Sequence, residues 1–165
     1  MSTIIKEILG TSATILASGE LGGLTNNSIA VGAALAGTGV YNNTYGSGSS
    51  SSTGDGYERG YVTFVPGGAF SVAPTANTSI DVYFLKSMDG GSTFEGGSSS
   101  ILPARRPDVV LPLNSSSTAA ADNKVTINCF LPACQFKILA KNNASGQTIP
   151  TGSTLTLVPA TDSGV

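Results

Sequence analysis

The stretch Ser79-Ile-Asp-Val-Tyr-Phe-Leu-Lys-Ser87 decides the fold class. Ile80, Val82 and Phe84 share one face at period two while Asp81, Tyr83 and Leu85 take the other, the alternation of a β-strand. The same alternation returns on both sides of it. Downstream, Val125, Ile127, Cys129 and Leu131 align inward within 124–131, and Cys134, Phe136, Ile138 and Ala140 do so within 134–141. Upstream, Ile29, Val31, Ala33 and Leu35 share a face within 28–35. Segments 61–65 and 154–158 complete the set, with 14–17 as a further candidate. Turn residues separate the blocks at intervals of about ten residues, and no amphipathic helix of crossover length lies between them. An all-β, antiparallel β-sandwich is expected, and a parallel βαβ sheet is excluded. Residues 3–9 read as a short helical turn.

Composition agrees. The 165 residues include 22 Ser, 18 Thr and 21 Gly, and only 11% are charged. Turn and strand formers have replaced the usual charged helix formers. The periodic β-branched and aromatic blocks separate the chain from disordered sequences of similar polarity. The length suits one domain able to bury roughly two-thirds of its unfolded surface. Its expected layout is an N-terminal segment 1–36 that contributes strands and an attachment arm, a Gly/Ser-rich loop 37–60, and a main sandwich 61–165. Segment 37–60, GTGVYNNTYGSGSSSSTGDGYERG, is too rich in Gly and Ser to fix a strand register. It reads as a flexible loop, or as an arm that orders on a neighbouring subunit with Tyr41 and Tyr45 as anchors.

Several function classes fall away. A net charge of −2 offers no basic stripe for nucleic acid. The longest nearly apolar run, 29–36, is far short of the ~20 residues of a membrane helix. Lys6 and Glu7 stand where a signal peptide would have its apolar core, so cleaved secretion is disfavoured. With no His, the Ser-His-Asp and Cys-His arrangements and most zinc and iron sites are unavailable. No GxxxxGK[ST] occurs, and the glycines near 46–60 precede no helix that could cradle phosphate. Asp81, Asp89, Glu95 and Asp108 have no evident partner that would tune one of them for acid–base work. A non-enzymatic role without cofactor is expected.

Three local features remain. Asp89-Gly90 reads as a hairpin tip; a calcium site using Asp89 and Glu95 is conceivable but lacks the spaced carboxylate set of a known loop. The Pro-punctuated block 102–112 should run along a sheet edge, with Arg105 and Arg106 either as solvated edge-guarding charges or as a subunit contact. Cys129 and Cys134 flank Phe-Leu-Pro-Ala and would face each other across a hairpin with a four-residue loop. Either a cross-strand disulfide or buried free thiols fit that arrangement, and without a secretion signal reduced thiols are favoured.

The succession YVTFVPGGAFSV, SIDVYFLKSMDGGSTFEGG, ILPARRPDVVLPL, CFLPACQFKILAKNNASGQTI and GSTLTLVP resembles small structural proteins of tailed bacteriophages over about residues 57–158. That resemblance implies a jelly-roll β-sandwich on the virion, assembled in the host cytoplasm. It implies a capsid cement or decoration subunit, commonly a homotrimer, whose partners are copies of itself and the major capsid protein. Tyr41, Tyr45, Arg105 and Arg106 are then interface candidates. The rival reading is a tail-fibre or receptor module holding sugar on a sandwich face, for which five tyrosines and no Trp are sparse provision. A hydrolase in an unfamiliar sandwich is the remaining alternative.

Overall fold

The computed structural model describes residues 5–32, 40–42, 57–96 and 101–164. Its strands are β1 (Ile5–Leu9), β2 (Ala13–Leu16), β3 (Ile29–Val31), β4 (Val40–Asn42), β5 (Arg59–Val65), β6 (Ser79–Ser87), β7 (Val109–Pro112), β8 (Val125–Phe130), β9 (Gln135–Asn143) and β10 (Thr154–Gly164). One helical turn, α1 (Ser18–Leu21), follows β2, its entry held by Glu20 Oε2 accepting from the Ala17 N–H at 2.7 Å. A 3₁₀ turn (Ala121–Asn123) precedes β8.

The strands form two antiparallel sheets. In sheet A, β10 lies between β5 and the pair β1 and β2, and β8 flanks β5. In sheet B, β9 lies between β6 and the pair β3 and β4, and β7 flanks β6. Pairing is thus nested: the ends of the chain meet in sheet A, and the strands next inward meet in sheet B.

The inner faces share one core. Ile15, Leu16, Val62, Phe64, Leu155 and Leu157 come from sheet A; Ile80, Val82, Phe84, Val109, Leu111, Phe136, Ile138 and Ala140 come from sheet B. Apart from the adjacent Ile15 and Leu16, where β2 shifts register against β10, each set sits at period two along its strand, which is why the alternation was readable. Phe84 and Phe136 meet with ring centroids 5.0 Å apart and tilted by 53°, an arrangement worth about 0.5–1.5 kcal/mol beyond area burial.

Four local expectations are corrected. Residues 5–9 form β1 and no helical turn, because the end of β10 supplies a strand partner for them. Ile29 and Val31 do share a face, but they pack on a second cluster on the outer side of sheet B, with Tyr83, Leu85 and Leu139; Ala33 and Leu35 lie outside the described residues. Segment 37–60 contains β4 and the start of β5, since the alternation of β5 extends back to Arg59. Finally, β8 and β9 are not a hairpin. Phe130 ends a strand of sheet A and Gln135 begins one of sheet B, so the chain crosses the sandwich between them. Both cysteines are free, Cys129 in the core and Cys134 half-buried ahead of β9. Burial first, and the nearby Asp108 charge with it, raise the Cys129 thiol to about 12 against the smaller opposing effect of the Gly60 backbone, so it stays protonated near neutrality.

Candidate interaction surface

The two outer faces of the sandwich are built differently, and the difference starts at the β6 edge. β7 pairs with β6 only from Ser79 to Val82, leaving the backbone of Phe84 and Lys86 without a strand neighbour on that side. Side chains from the β6–β7 connection replace the missing strand. Asp108 Oδ2 accepts from the Phe84 N–H at 2.7 Å, and Arg105 Nη2 donates to the Phe84 carbonyl at 2.8 Å. Glu95 Oε2 accepts from the Lys86 N–H at 3.2 Å, and the Glu95 N–H donates to the Lys86 carbonyl at 2.9 Å.

Arg105 ties this edge together. Nη1 donates to Asp108 Oδ2 at 2.6 Å and Nη2 to Glu95 Oε2 at 2.9 Å. Its guanidinium also stands 5.9 Å from the centroid of the Tyr83 ring, within cation–π range. Partial burial would lower the Arg105 pKa, but Asp108 and Glu95 outweigh it and hold the guanidinium above its ordinary value. Partial burial likewise works to raise the Glu95 carboxyl, yet the Lys86 amide and the Arg105 guanidinium hold it below its usual 4.5. Burial and the neighbouring Asp81 charge raise the Tyr83 phenol.

The same connection covers the outer face of sheet B. Phe94 and Leu102 pack on Tyr83, Leu85 and Leu139, and Lys137 Nζ lies 4.5 Å from the Phe94 ring centroid. An open groove of about 470 Å³ is lined by the connection itself, from Glu95 and Gly96 past Ile101 and Leu102 to Arg105. The tip of the connection is an Asp-Gly turn, as expected: Asp89 Oδ1 accepts from the Ser87 hydroxyl and the Thr93 N–H, and Oδ2 from the Thr93 hydroxyl. Those bonds, the Thr93 hydroxyl first, hold the Asp89 carboxyl well below the usual carboxylate range. Gly90 and Gly91 take φ of 72° and 93°, which favours glycine. Asp89 is therefore committed to the turn and Glu95 to Arg105, and the two do not assemble a cation site.

Sheet A turns a different face outward. Thr14, Thr156, Thr63 and Thr126 stand in register across four strands, at the ~4.8 Å interstrand spacing. The Thr63 and Thr126 hydroxyls are 2.9 Å apart. In the next row lie Val158, Tyr61 and Asn128. The Tyr61 hydroxyl donates to Glu7 Oε1 at 2.6 Å, and Arg59 lies 3.9 Å from the same oxygen. Phe130 ends this face with its ring 82% exposed. Among these residues Thr14, Thr126, Asn128 and Phe130 are exposed and Tyr61, Thr63, Thr156 and Val158 are half-buried.

Of the four residues singled out from sequence, Arg105 and Arg106 have described side chains. Arg105 is held by Asp108, Glu95 and the Phe84 carbonyl of its own chain, so it guards an edge without being a fully solvated charge. Arg106 is exposed and offers its carbonyl to Arg105 Nη1 at 3.4 Å. Tyr41 is placed by its backbone alone, in β4 opposite Phe136, and Tyr45 lies outside the described residues. The threonine row and the Tyr61–Glu7–Arg59 group escaped sequence reading, because register between distant strands creates them. A signal was nevertheless present in the polar alternate positions of 61–65, 124–131 and 154–158. Comparison with protein-family models, with curated proteins and with solved structures finds no match.

Proposed function

We propose that the chain is a structural subunit of a tailed-phage particle, a capsid cement or decoration protein that binds neighbouring capsid subunits through the outer face of sheet A. The observation that carries this reading is the rigid, nearly uncharged face of Thr14, Thr63, Thr126, Thr156, Tyr61, Asn128 and Phe130. Hydroxyls, amides and one ring pack against a protein shell with little of the desolvation cost of buried ions. The nested strand order supports the jelly-roll form of the reading: first strands with last, next strands with next to last, and the remaining pairs closing the two sheets. A trimer formed by a closed three-fold self-contact belongs to the same proposal.

Reconstitution tests it. Purified protein added to capsids that lack it should occupy regular positions on the shell in electron micrographs, and replacing Thr63 and Asn128 with Glu should empty those positions. Binding at the tail tip alone would refute the proposal. Native mass spectrometry of the free protein tests the trimer.

One observation favours a second reading, a glycan-binding module: Tyr61, Asn128 and Phe130 set a phenol, an amide and an open ring along one row and its neighbour. Saturable oligosaccharide binding by the isolated protein, lost in Phe130→Ala, would select it over the first.

A further inference from the structure

The Leu131 N–H donates to the Glu58 carbonyl at 3.0 Å, and this bond fixes the parity of the β8 ladder. Residues 58 and 131 are a hydrogen-bonded pair, so 60 with 129, 62 with 127 and 64 with 125 are hydrogen-bonded pairs too. The N–H and C=O groups of Thr126, Asn128 and Phe130 therefore point away from β5, along the free edge of sheet A. No described strand pairs there.

Other edges of the sandwich are blunted. β7 is four residues long, ends on Pro112, and is extended by the Arg105 side-chain ladder. β1 carries Lys6 and Glu7, β2 has an irregular register against β10, and β3 and β4 are three residues each. Natural sheets suppress edge-to-edge pairing with such devices. β8 has none of them over its six residues, VTINCF, and it ends on the most exposed ring of the sheet A face.

We infer that the β8 edge pairs with the β8 edge of a second copy about a two-fold axis through Asn128. Asn128 faces Asn128 of the partner subunit, and Thr126 faces Phe130 of the partner subunit, each pair exchanging both backbone hydrogen bonds. Only residues whose backbone groups already point outward are used. Lys124 is left out, its N–H turned toward the Ala121 carbonyl. The register is self-complementary. Two amide side chains meet on the axis, each able to donate to and accept from the other, and Thr126 packs on the ring of the partner subunit's Phe130. The contact area of one strand edge falls below the ~1,000 Å² of stable interfaces, so the pairing is reversible and concentration-dependent. It is separate from any three-fold contact and does not depend on attachment to a capsid, so the two proposals fail independently.

Amide hydrogen exchange on the full chain, run beside sedimentation over a concentration series, reads the inference directly. At low concentration the amides of Ile127, Cys129 and Leu131 exchange slowly and those of Thr126, Asn128 and Phe130 rapidly; at high concentration the second set slows by roughly tenfold or more as the mass doubles. Asn128→Pro removes an N–H that β5 does not use, so it keeps the fold and abolishes both effects. Asn128→Lys retains the N–H but sets two ammonium groups on the axis, and weakens association by a similar factor. Fast exchange at Thr126, Asn128 and Phe130 at every concentration overturns the inference. So does their protection without a change in mass, or mass doubling that survives Asn128→Pro.

Discussion

The outer faces of the two sheets come from the same kind of sequence and end in opposite states. On sheet B, Tyr83, Leu85 and Leu139 are buried, because the chain folds its own β6–β7 connection over them and ties it down through Arg105. On sheet A, Thr63, Tyr61, Thr126 and Phe130 stay at the surface. Alternation alone would have treated both as solvent faces. The residue types separate them, since Tyr83 and Leu85 need a cover whereas a threonine row is stable in water. The chain covers one face itself and leaves Thr14, Thr126, Asn128 and Phe130 of the other exposed.

The cover on sheet B is tested most severely at its floor. Leu85 is 2% exposed beneath the strap, and Leu85→Ala should cost about 2–4 kcal/mol in denaturant unfolding through lost burial and the cavity left behind. A cost under ~1 kcal/mol would show that the strap does not cover this face in solution. Arg105→Ala comes next. With 27% of its side chain exposed, it makes charge-assisted bonds to two carboxylates and to the Phe84 carbonyl. Truncation leaves Asp108 and Glu95 facing each other and a sheet-edge carbonyl unpaired, so a loss of about 2–3 kcal/mol is expected. Protease sensitivity should rise between residues 88 and 108. Arg105→Lys should recover little, because an ammonium cannot span the three acceptors in the fork geometry of a guanidinium.

What the sequence revealed and what it concealed divide along the same line. The double-sided reading of Ser79–Ser87 was sound because period two is a property of the strand itself. Assigning a face to the core was not local, and Ile29 and Val31 went to the wrong side for that reason: their pattern matches that of Ile80 and Val82, but register against β9 turns them outward. β1 was missed because its partner lies about 150 residues away at the other end of the chain. The five-residue step from Cys129 to Cys134 fits either a hairpin or a crossing between sheets, and spacing cannot choose. Glu95, Arg105 and Asp108 could have been noted as neighbouring opposite charges. Their role could not, because the backbone groups they satisfy belong to β6.

Acid should loosen the strap on sheet B. Glu95 has a folded-state pKa below its usual 4.5, so its charge contributes stability that is fully present above that value. The contribution is lost as pH falls through the lower folded-state pKa. More than a third of the Glu95 side chain is exposed, and solvent screening keeps the effect small. Thermal unfolding followed from pH 6 downward should show a shallower decline in Glu95→Gln than in the parent chain. Identical slopes would mean that the ion pair with Arg105 is not formed.

The smallest effect is expected on sheet A, where its smallness matters most. Thr63→Val and Thr126→Val remove two hydroxyls 2.9 Å apart from positions in contact with water, and valine is at least as good a strand former. Each should shift unfolding free energy by no more than about 0.5 kcal/mol. If this face were merely a solvated surface, nothing else would change. If it is a recognition surface, the same two variants should weaken capsid occupancy severalfold with the fold intact, because a hydroxyl that costs nothing to lose in water leaves a buried partner unsatisfied at an interface. Stability and binding then separate on sheet A, whereas on sheet B Leu85 and Arg105 govern stability alone. Equal capsid occupancy by parent and variants would remove the threonine row from the interface and leave the face to Tyr61, Asn128 and Phe130.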